Sequence, residues 1–484
     1  MATQLASTYA ELSLFIGGEW LSGDGRKTSP VINPATEEVI GNLPHASKAD
    51  LDRALSEADR GFKLWRAIFP DQRGKILKRA ADLMRERAEE IARIATTESG
   101  KSIHETRIEV QMSANIFEWF AEEGRRAYGR VLPQRAPGTR LAIVKEPVGP
   151  VAAFAPWNFP IGNPARKIGA ALGAGCSCIL KPAEETPAAG LVVARCLVDA
   201  GLPAGVLSVV YGVPSEISEH LLASPIIRKV SFTGSIPVGK HLMKLAAEGM
   251  KRTTMELGGH APVLVFDDVD VEKVLDMCAT AKYRNAGQVC VSPTRFYAHE
   301  KIYNTFVEGF AARAKALPVG NGIEEKNRMG PLVHARRLAA IEALIEDAKN
   351  SGAKVQAGGA RLKGPGYFFR ADGIVRRAEQ GAHHERRAVR PGRGDQFVLR
   401  LRRGDPAGQP AAVRPRSVCV HQFRASRKAG GRTARGRNGR REHVSDFRAG
   451  FAVRRREGKR PRLGRRHRRA RSLPGDEVHQ RGVS

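Results

Sequence analysis

A chain of 484 residues is too long for one small core and is expected to fold as two or three domains. Its formal net charge of +30 would suggest nucleic acid or an anionic surface, but residues 371–484 hold 30 Arg and 2 Lys against 10 acidic residues, a net of +22, which leaves +8 for an ordinary globular stretch over 1–370. Six scattered cysteines without a C-x-x-C pair argue against a disulfide framework and a cysteine zinc site. The first residues carry no basic-then-apolar leader, and prolines and charges break the longest apolar region, around 148–180, so a cytoplasmic protein with no membrane span is expected.

In chain order, residues 14–42 hold short β-rich pieces and turns. From 48 to 99 the apolar residues recur at helical spacing: Leu51, Ala54, Leu55, Ala58 and Phe62, then Ile76, Leu77, Ala80, Leu83 and Met84. Residues 126–148 alternate and contain Pro133 and Pro137, which predicts an extended hairpin leaving the domain. A strand–helix alternation then runs from 151 to 247. Strands are predicted at 151–154, 176–180, 206–211 and 229–232, and helices at 164–174, 187–200, 216–222 and 236–247. Buried β runs between helices predict a parallel, doubly wound α/β sheet. A second α/β series opens near Leu257, with strands at 262–266 and 295–299 and helices at 271–283, 303–317 and 336–350. The pattern stops at about Phe369.

Two stretches offer chemistry together. Asn285-Ala286-Gly287-Gln288-Val289-Cys290 presents a thiol in a glycine-loosened loop, and Met255-Glu256-Leu257-Gly258-Gly259 presents a carboxylate followed by two glycines. A soft nucleophile and a carboxylate base suit acyl transfer through a thioester. A lone cysteine is more often a small core residue. Cys176, Cys178, Cys196 and Cys278 lie in apolar runs and fit that description, whereas Cys290 has Gly287, Gln288 and Ser292 around it. Asn158, between Pro156 and Pro160 at the end of the first predicted sheet strand, could donate its amide to an oxyanion, although taken alone it reads as a turn residue. Lys181 and Glu184 at the next strand tip suit ribose hydroxyls, with a surface ion pair as the plainer reading. The turn Phe232-Thr233-Gly234-Ser235 leads into a helix whose N–H groups could face a pyrophosphate.

Asn158, Lys181, Gly234-Ser235, Glu256 and Cys290, taken in this order with their flanks, resemble the NAD(P)-dependent aldehyde dehydrogenase superfamily over residues 14–369. The resemblance implies a Rossmann-type cofactor domain (1–125 and 149–256), an oligomerisation hairpin (126–148) and a catalytic α/β domain (257–369). It implies Cys290 as nucleophile, Glu256 as base and Asn158 as oxyanion donor. It places Pro156, Trp157, Lys181, Glu184, Gly212, Phe232, Gly234, Ser235 and Leu257 around NAD, with NADP possible, and requires no metal. Within the family the chain looks similar to succinate-semialdehyde dehydrogenases and enzymes of 2-oxoglutarate semialdehyde. Arg166 and Arg284 match arginines that hold the substrate carboxylate there, as a guanidinium fork does. A homodimer or homotetramer is implied. A broad-specificity aldehyde dehydrogenase, an inactive scaffold and an arginine-tailed RNA binder are the competing readings. The scarcity of aromatics in the tail speaks against nucleic acid.

The family motifs EEPFGP and PFGG-x-K are missing after residue 369. A one-base shift in reading frame recovers both: Ala382–Gly392 can be encoded so that the shifted frame reads RIMNEEPFGP, and Ala452–Arg460 so that it reads PFGGVKES. Two motifs in one shifted frame and in the expected order point to a frame change near Arg370. On this reading the catalytic domain is incomplete and 370–484 is an arginine-rich stretch with too few periodic apolar residues to order itself. Sequencing the coding DNA around codon 370 checks it.

Overall fold

The computed structural model describes residues 9–371 and, beyond them, the short strands Val375–Arg377, Val418–Val420 and Val478–Gly482. The main sheet has seven strands: β1 (Leu14–Ile16), β2 (Glu19–Leu21), β7 (Val151–Phe154), β8 (Cys178–Lys181), β9 (Leu207–Val209), β10 (Lys229–Gly234) and β11 (Arg252–Leu257). They lie side by side as β11-β10-β7-β8-β9-β1-β2, parallel from β11 to β9. β1 pairs antiparallel with β9 and with β2 at one edge. β7 and β8 are buried along their whole length, as central strands covered on both faces must be, which is why Val-Ala-Ala-Phe and Cys-Ile-Leu-Lys carry no polar alternation.

The parallel strands run outward from β7 in two directions, through β8 and β9 on one side and through β10 and β11 on the other. The chain therefore reverses its winding between β7 and β10. In an open α/β sheet the crevice for a ligand opens at that point, beyond the carboxyl ends of the strands.

The helical run expected over 48–99 is three helices, α1 (Lys48–Ala67), α2 (Pro70–Glu86) and α3 (Ala88–Ser99). Ser47 and Asp50 form a capping box at the start of α1, and Pro70 opens α2 at a position that needs no N–H donor. Gly100, at φ 76°, ends α3 in the left-handed conformation. The long helix α4 (Ile103–Arg125), which the sequence reading did not single out, follows at once and packs on α2 and on α5 (Gly162–Gly173). The main core also takes in α6 (Pro187–Asp199), α7 (Pro214–Ala223) and α8 (Ile236–Glu248).

A second core begins beyond Gly258. β12 (Ala261–Val265) pairs in parallel with β13 (Pro293–Ala298) and with the strand Val418–Val420. Helices α9 (Val271–Tyr283), α10 (Tyr303–Ala316) and α11 (Ala335–Asn350) cover it around Tyr283, Phe296, Phe306 and Phe310, whose rings lie 5.2–6.0 Å apart. The hairpin expected over 126–148 is the antiparallel pair β5 (Arg130–Leu132) and β6 (Thr139–Ile143), and Val478–Gly482 adds a third strand on β6. A further pair joins β14 (Ala353–Val355) to Val375–Arg377. The expected disorder of the tail otherwise falls outside the described residues. Among the described residues no helix is long and apolar enough to cross a membrane.

Candidate active site

Register places the site. Phe154 on β7 lies opposite Lys181 on β8 and Phe232 on β10, while Thr233 and Gly234 on β10 lie opposite Glu256 and Leu257 on β11. The loop carrying Pro156, Trp157 and Asn158, the Lys181 tip, the Gly234-Ser235 turn and Glu256 therefore share the carboxyl edge of one sheet.

The loop carrying Cys290 comes from the second core and meets the Asn158 loop directly. α9 ends at Tyr283, and residues 284–287 form one tight turn in which Asn285, Ala286 and Gly287 adopt φ 50°, 52° and 75°. Two consecutive left-handed residues with side chains cost roughly 1–2 kcal/mol each and persist only where their surroundings hold them. Here Asn285 N–H donates to Glu105 Oε1 at 3.0 Å, Gln288 Nε2 donates to Asn285 O at 3.1 Å, and Gln288 Oε1 accepts from Val333 N at 3.1 Å. Asn158 Nδ2 donates to Gln288 O at 3.1 Å, and Asn158 O accepts from Asn285 Nδ2 at 3.1 Å and Lys101 Nζ at 3.3 Å. An amide NH₂ has two hydrogens, so the bond to Gln288 leaves Asn158 one for an oxyanion two residues further along the chain.

Cys290 emerges exposed from this buried turn. The other described cysteines are buried, and burial pushes the Cys178 and Cys278 thiols up to about 12 and Cys196 to about 11, which keeps them from acting as thiolates. The contrast expected between Cys290 and the core cysteines is thus visible in their environments.

Glu256 is exposed on β11, the edge strand of the main sheet, so the carboxylate sits on regular backbone rather than in a flexible loop. Looseness begins after it, at Gly258 and Gly259, around which an added Cβ would meet nothing. Its neighbour is Lys167 on α5, a buried ammonium that donates to Ser231 Oγ at 3.2 Å. Burial lowers this lysine to about 7, against the opposing pull of Cys178 and Glu256.

The candidate cofactor residues divide by what they touch. Lys181 is buried, donates to Pro182 O at 3.0 Å and forms a close ion pair with Glu184 Oε1. Ser235 caps α8 in extended conformation without its side chain bonding to the helix, so the first-turn N–H groups have no side-chain cap. A Lys–Glu pair at a strand tip and a helix start without a side-chain cap, both at a switch point, suit the ribose and pyrophosphate of a dinucleotide. Phe232 and Leu257 explain the glycines beside them: a Cβ on Gly234 would lie 2.4 Å from the Phe232 ring, and one on Gly239 2.6 Å from Leu257. Gly212, at φ 141°, follows β9 and packs beside His45 and Ala46. Trp157 meets His334 with ring centroids 6.3 Å apart. A cavity of about 720 Å³ opens elsewhere, between the start of α1 and α7; His45 and Ala46 line it, and none of the candidate site residues does.

The two candidate carboxylate-binding arginines differ. Arg284 is exposed in the Cys290 turn with its guanidinium 5.4 Å from the centre of the Phe159 ring, beside the Asn158 loop. Arg166 is exposed on α5, and no hydrogen bond among the described residues ties it to the Cys290 turn. Sequence reasoning missed Lys101, Glu105, Glu109, Lys167 and Gln288. For the first three the only signal was a charged residue at every fourth position, 101, 105 and 109, which ordinarily marks a solvated helix face.

The model of the aldehyde dehydrogenase family matches residues 20–376. Over 355 residues the chain is 47% identical to 4-(hydroxymethyl)benzenesulfonate dehydrogenase TsaD1 of Comamonas testosteroni, covering 73% of this chain and 74% of the relative. The fold superposes with a TM-score of 0.77 on the succinate-semialdehyde dehydrogenase of Burkholderia pseudomallei, at 39% identity over 82% of this chain and 81% of that one. It superposes with a TM-score of 0.74 on the betaine aldehyde dehydrogenase of Staphylococcus aureus in complex with NAD+, at 32% identity over 78% of this chain and 75% of that one. Sequence and fold agree: the chain belongs to the aldehyde dehydrogenase family, enzymes that oxidise aldehydes with NAD(P).

Proposed function

We propose that the protein oxidises an aldehyde bearing a terminal carboxylate, with succinate semialdehyde as the substrate, to the corresponding diacid. The observation that carries this reading is Arg284, a solvent-facing guanidinium six residues before Cys290 and braced on Phe159. A carboxylate held there in two hydrogen bonds would point its aldehyde end back along the loop toward the thiol. Arg166 is assigned the second cationic contact.

Cys290 thiolate attacks the aldehyde carbon, forming a C–S bond and an oxyanion. The spare Asn158 N–H and the Cys290 backbone N–H donate to that oxygen. NAD(P)+, when bound, supplies the acceptor for the hydride that leaves the same carbon, and the acyl group stays on sulfur. Glu256 takes a proton from water, the water oxygen adds to the thioester carbon, and the C–S bond breaks to return the thiol and release the acid. Lys181 and Glu184 are assigned the cofactor ribose and Ser235 the pyrophosphate. The Glu184 carboxylate accepts from a ribose 2′-hydroxyl and repels a 2′-phosphate, which favours NAD over NADP.

A sulfonate in place of the carboxylate is the second reading, favoured by the name of the Comamonas relative, since a guanidinium serves either anion. The test compares charged and uncharged aldehydes. Arg284→Leu is expected to lower kcat/KM for succinate semialdehyde about a hundredfold while changing that for propanal less than threefold. Equal losses on both would remove Arg284 from substrate recognition.

We also propose a change of reading frame near Arg370. The end of the family match at residue 376 supports it, because resemblance stops where the shifted frame begins. A family-type homo-oligomer is supported by the β5–β6 hairpin, where Val131 is 82% exposed in the single chain, as is Tyr128 just before it at 71%.

A further inference from the structure

The corner between α3 and α4 carries three ionisable groups that the chemistry above does not use. Lys101 and Glu109 are 2% and 4% exposed and form a buried ion pair, and Glu105 lies between them in sequence. Spacing of four residues puts 105 and 109 on one face of α4, with Lys101 just before its first turn.

That face meets both reacting loops. Lys101 Nζ lies 4.2 Å from the Phe159 ring centre and donates to Asn158 O. Glu109 Oε1 accepts from Ile161 N and Gly162 N, both at 2.9 Å, which fixes the far end of the Asn158 loop to the start of α5. Glu105 Oε1 accepts from Asn285 N in the left-handed turn before Cys290. Asn158 O is the node between the two halves, since it accepts from Lys101 on one side and Asn285 on the other. The corner itself is anchored to the second core: Ile103 N donates to Gly322 O at 2.8 Å, and Arg107 pairs with Glu325 at 2.6 Å.

Stability alone does not account for this arrangement. A buried ion pair is often no more stabilising than apolar residues of the same size, and Glu105 Oε2 is buried without a hydrogen bond. We infer that Lys101, Glu105 and Glu109 are positioning residues that lock the Asn158 loop and the Cys290 turn to one another, so that the oxyanion donor and the nucleophile keep a fixed separation. The inference rests on the roles proposed for Asn158 and Cys290, and none of the three residues touches substrate.

The test uses Glu105→Ala, Glu105→Gln and Asn285→Gly in the full chain. Glu105→Ala is expected to lower kcat about ten- to a hundredfold, the cost of a misplaced reacting group, with KM for NAD within twofold of wild type. Glu105→Gln keeps an oxygen for Asn285 N–H and is expected to restore most of the loss. Asn285→Gly accepts φ 50° without strain but loses the side-chain bonds to Asn158 O and Gln288 O. It is expected to lower kcat without lowering the thermal midpoint. Full kcat in Glu105→Ala and Asn285→Gly, or a Gln variant no better than Ala, would overturn the inference. A wild-type chain that oxidises no aldehyde counts against the proposed function instead, and the lock is then read by amide hydrogen exchange. Faster exchange in Glu105→Ala confined to 158–162 and 285–290 supports it, and unchanged exchange there overturns it.

Discussion

Cys290→Ala is expected to reduce aldehyde-dependent NADH formation by about four orders of magnitude or more, because among the described residues no other cysteine is exposed to carry the acyl intermediate. The environments of the cysteines make this a sharp prediction. Cys176, Cys178, Cys196 and Cys278 are all buried, and burial raises their thiols, so none can substitute. NAD binding, followed by protein fluorescence, is expected to stay within twofold, since Cys290 sits on the second core while Lys181, Glu184 and Ser235 belong to the main sheet and the helix that follows it. Cys278→Ala provides the contrast: it removes a buried sulfur on α9 and is expected to leave kcat unchanged. Residual turnover within tenfold of wild type in Cys290→Ala would exclude a thioester route.

How much of this was legible beforehand follows from what each residue contacts. The alternation of buried strands and helices over 151–248 is a local pattern, and the positions of β7, β8 and β10 follow from it closely. Cys290 was legible because small and polar neighbours distinguish it from cysteines in apolar runs. Glu256 was legible as a residue but not as a position on an edge strand, since β11 reads Arg-Thr-Thr-Met-Glu-Leu, an exposed edge without an apolar run. Lys101, Glu105 and Glu109 were not legible, because their partners are backbone groups at 158, 161, 162 and 285, more than fifty residues away. A charged stripe at helical spacing looks like a solvated face until the loops that cover it are in place. The left-handed Asn285–Ala286 pair is hidden for a similar reason: tertiary bonds from Glu105 and Gln288 impose it against local preference.

Glu256→Gln is expected to separate the two halves of the reaction. Acylation does not require this carboxylate, so mixing enzyme, NAD and aldehyde should still give a burst of about one NADH per active chain at close to the wild-type rate. Hydrolysis does require a base, and steady-state turnover should fall about a hundred- to a thousandfold, the range for losing a positioned general base. Rapid-mixing absorbance shows both phases in one trace, and a burst abolished together with turnover would place Glu256 in the first step instead. The neighbouring Lys167 adds a pH signature. Its folded pKa of about 7 lies well below that of an ordinary lysine because of burial. Below pH 7 the ammonium is charged, so a cation sits close to Glu256. As pH rises through 7 Lys167 loses its proton, the proton taken from water no longer arrives beside a cation, and hydrolysis should accelerate across this range. Lys167→Met, which keeps the length of the side chain without the charge, is expected to flatten this rise in the steady-state rate while leaving the pH dependence of the burst as it is in wild type. A rise that persists unchanged in Lys167→Met would show that the charge of Lys167 does not govern the hydrolytic step.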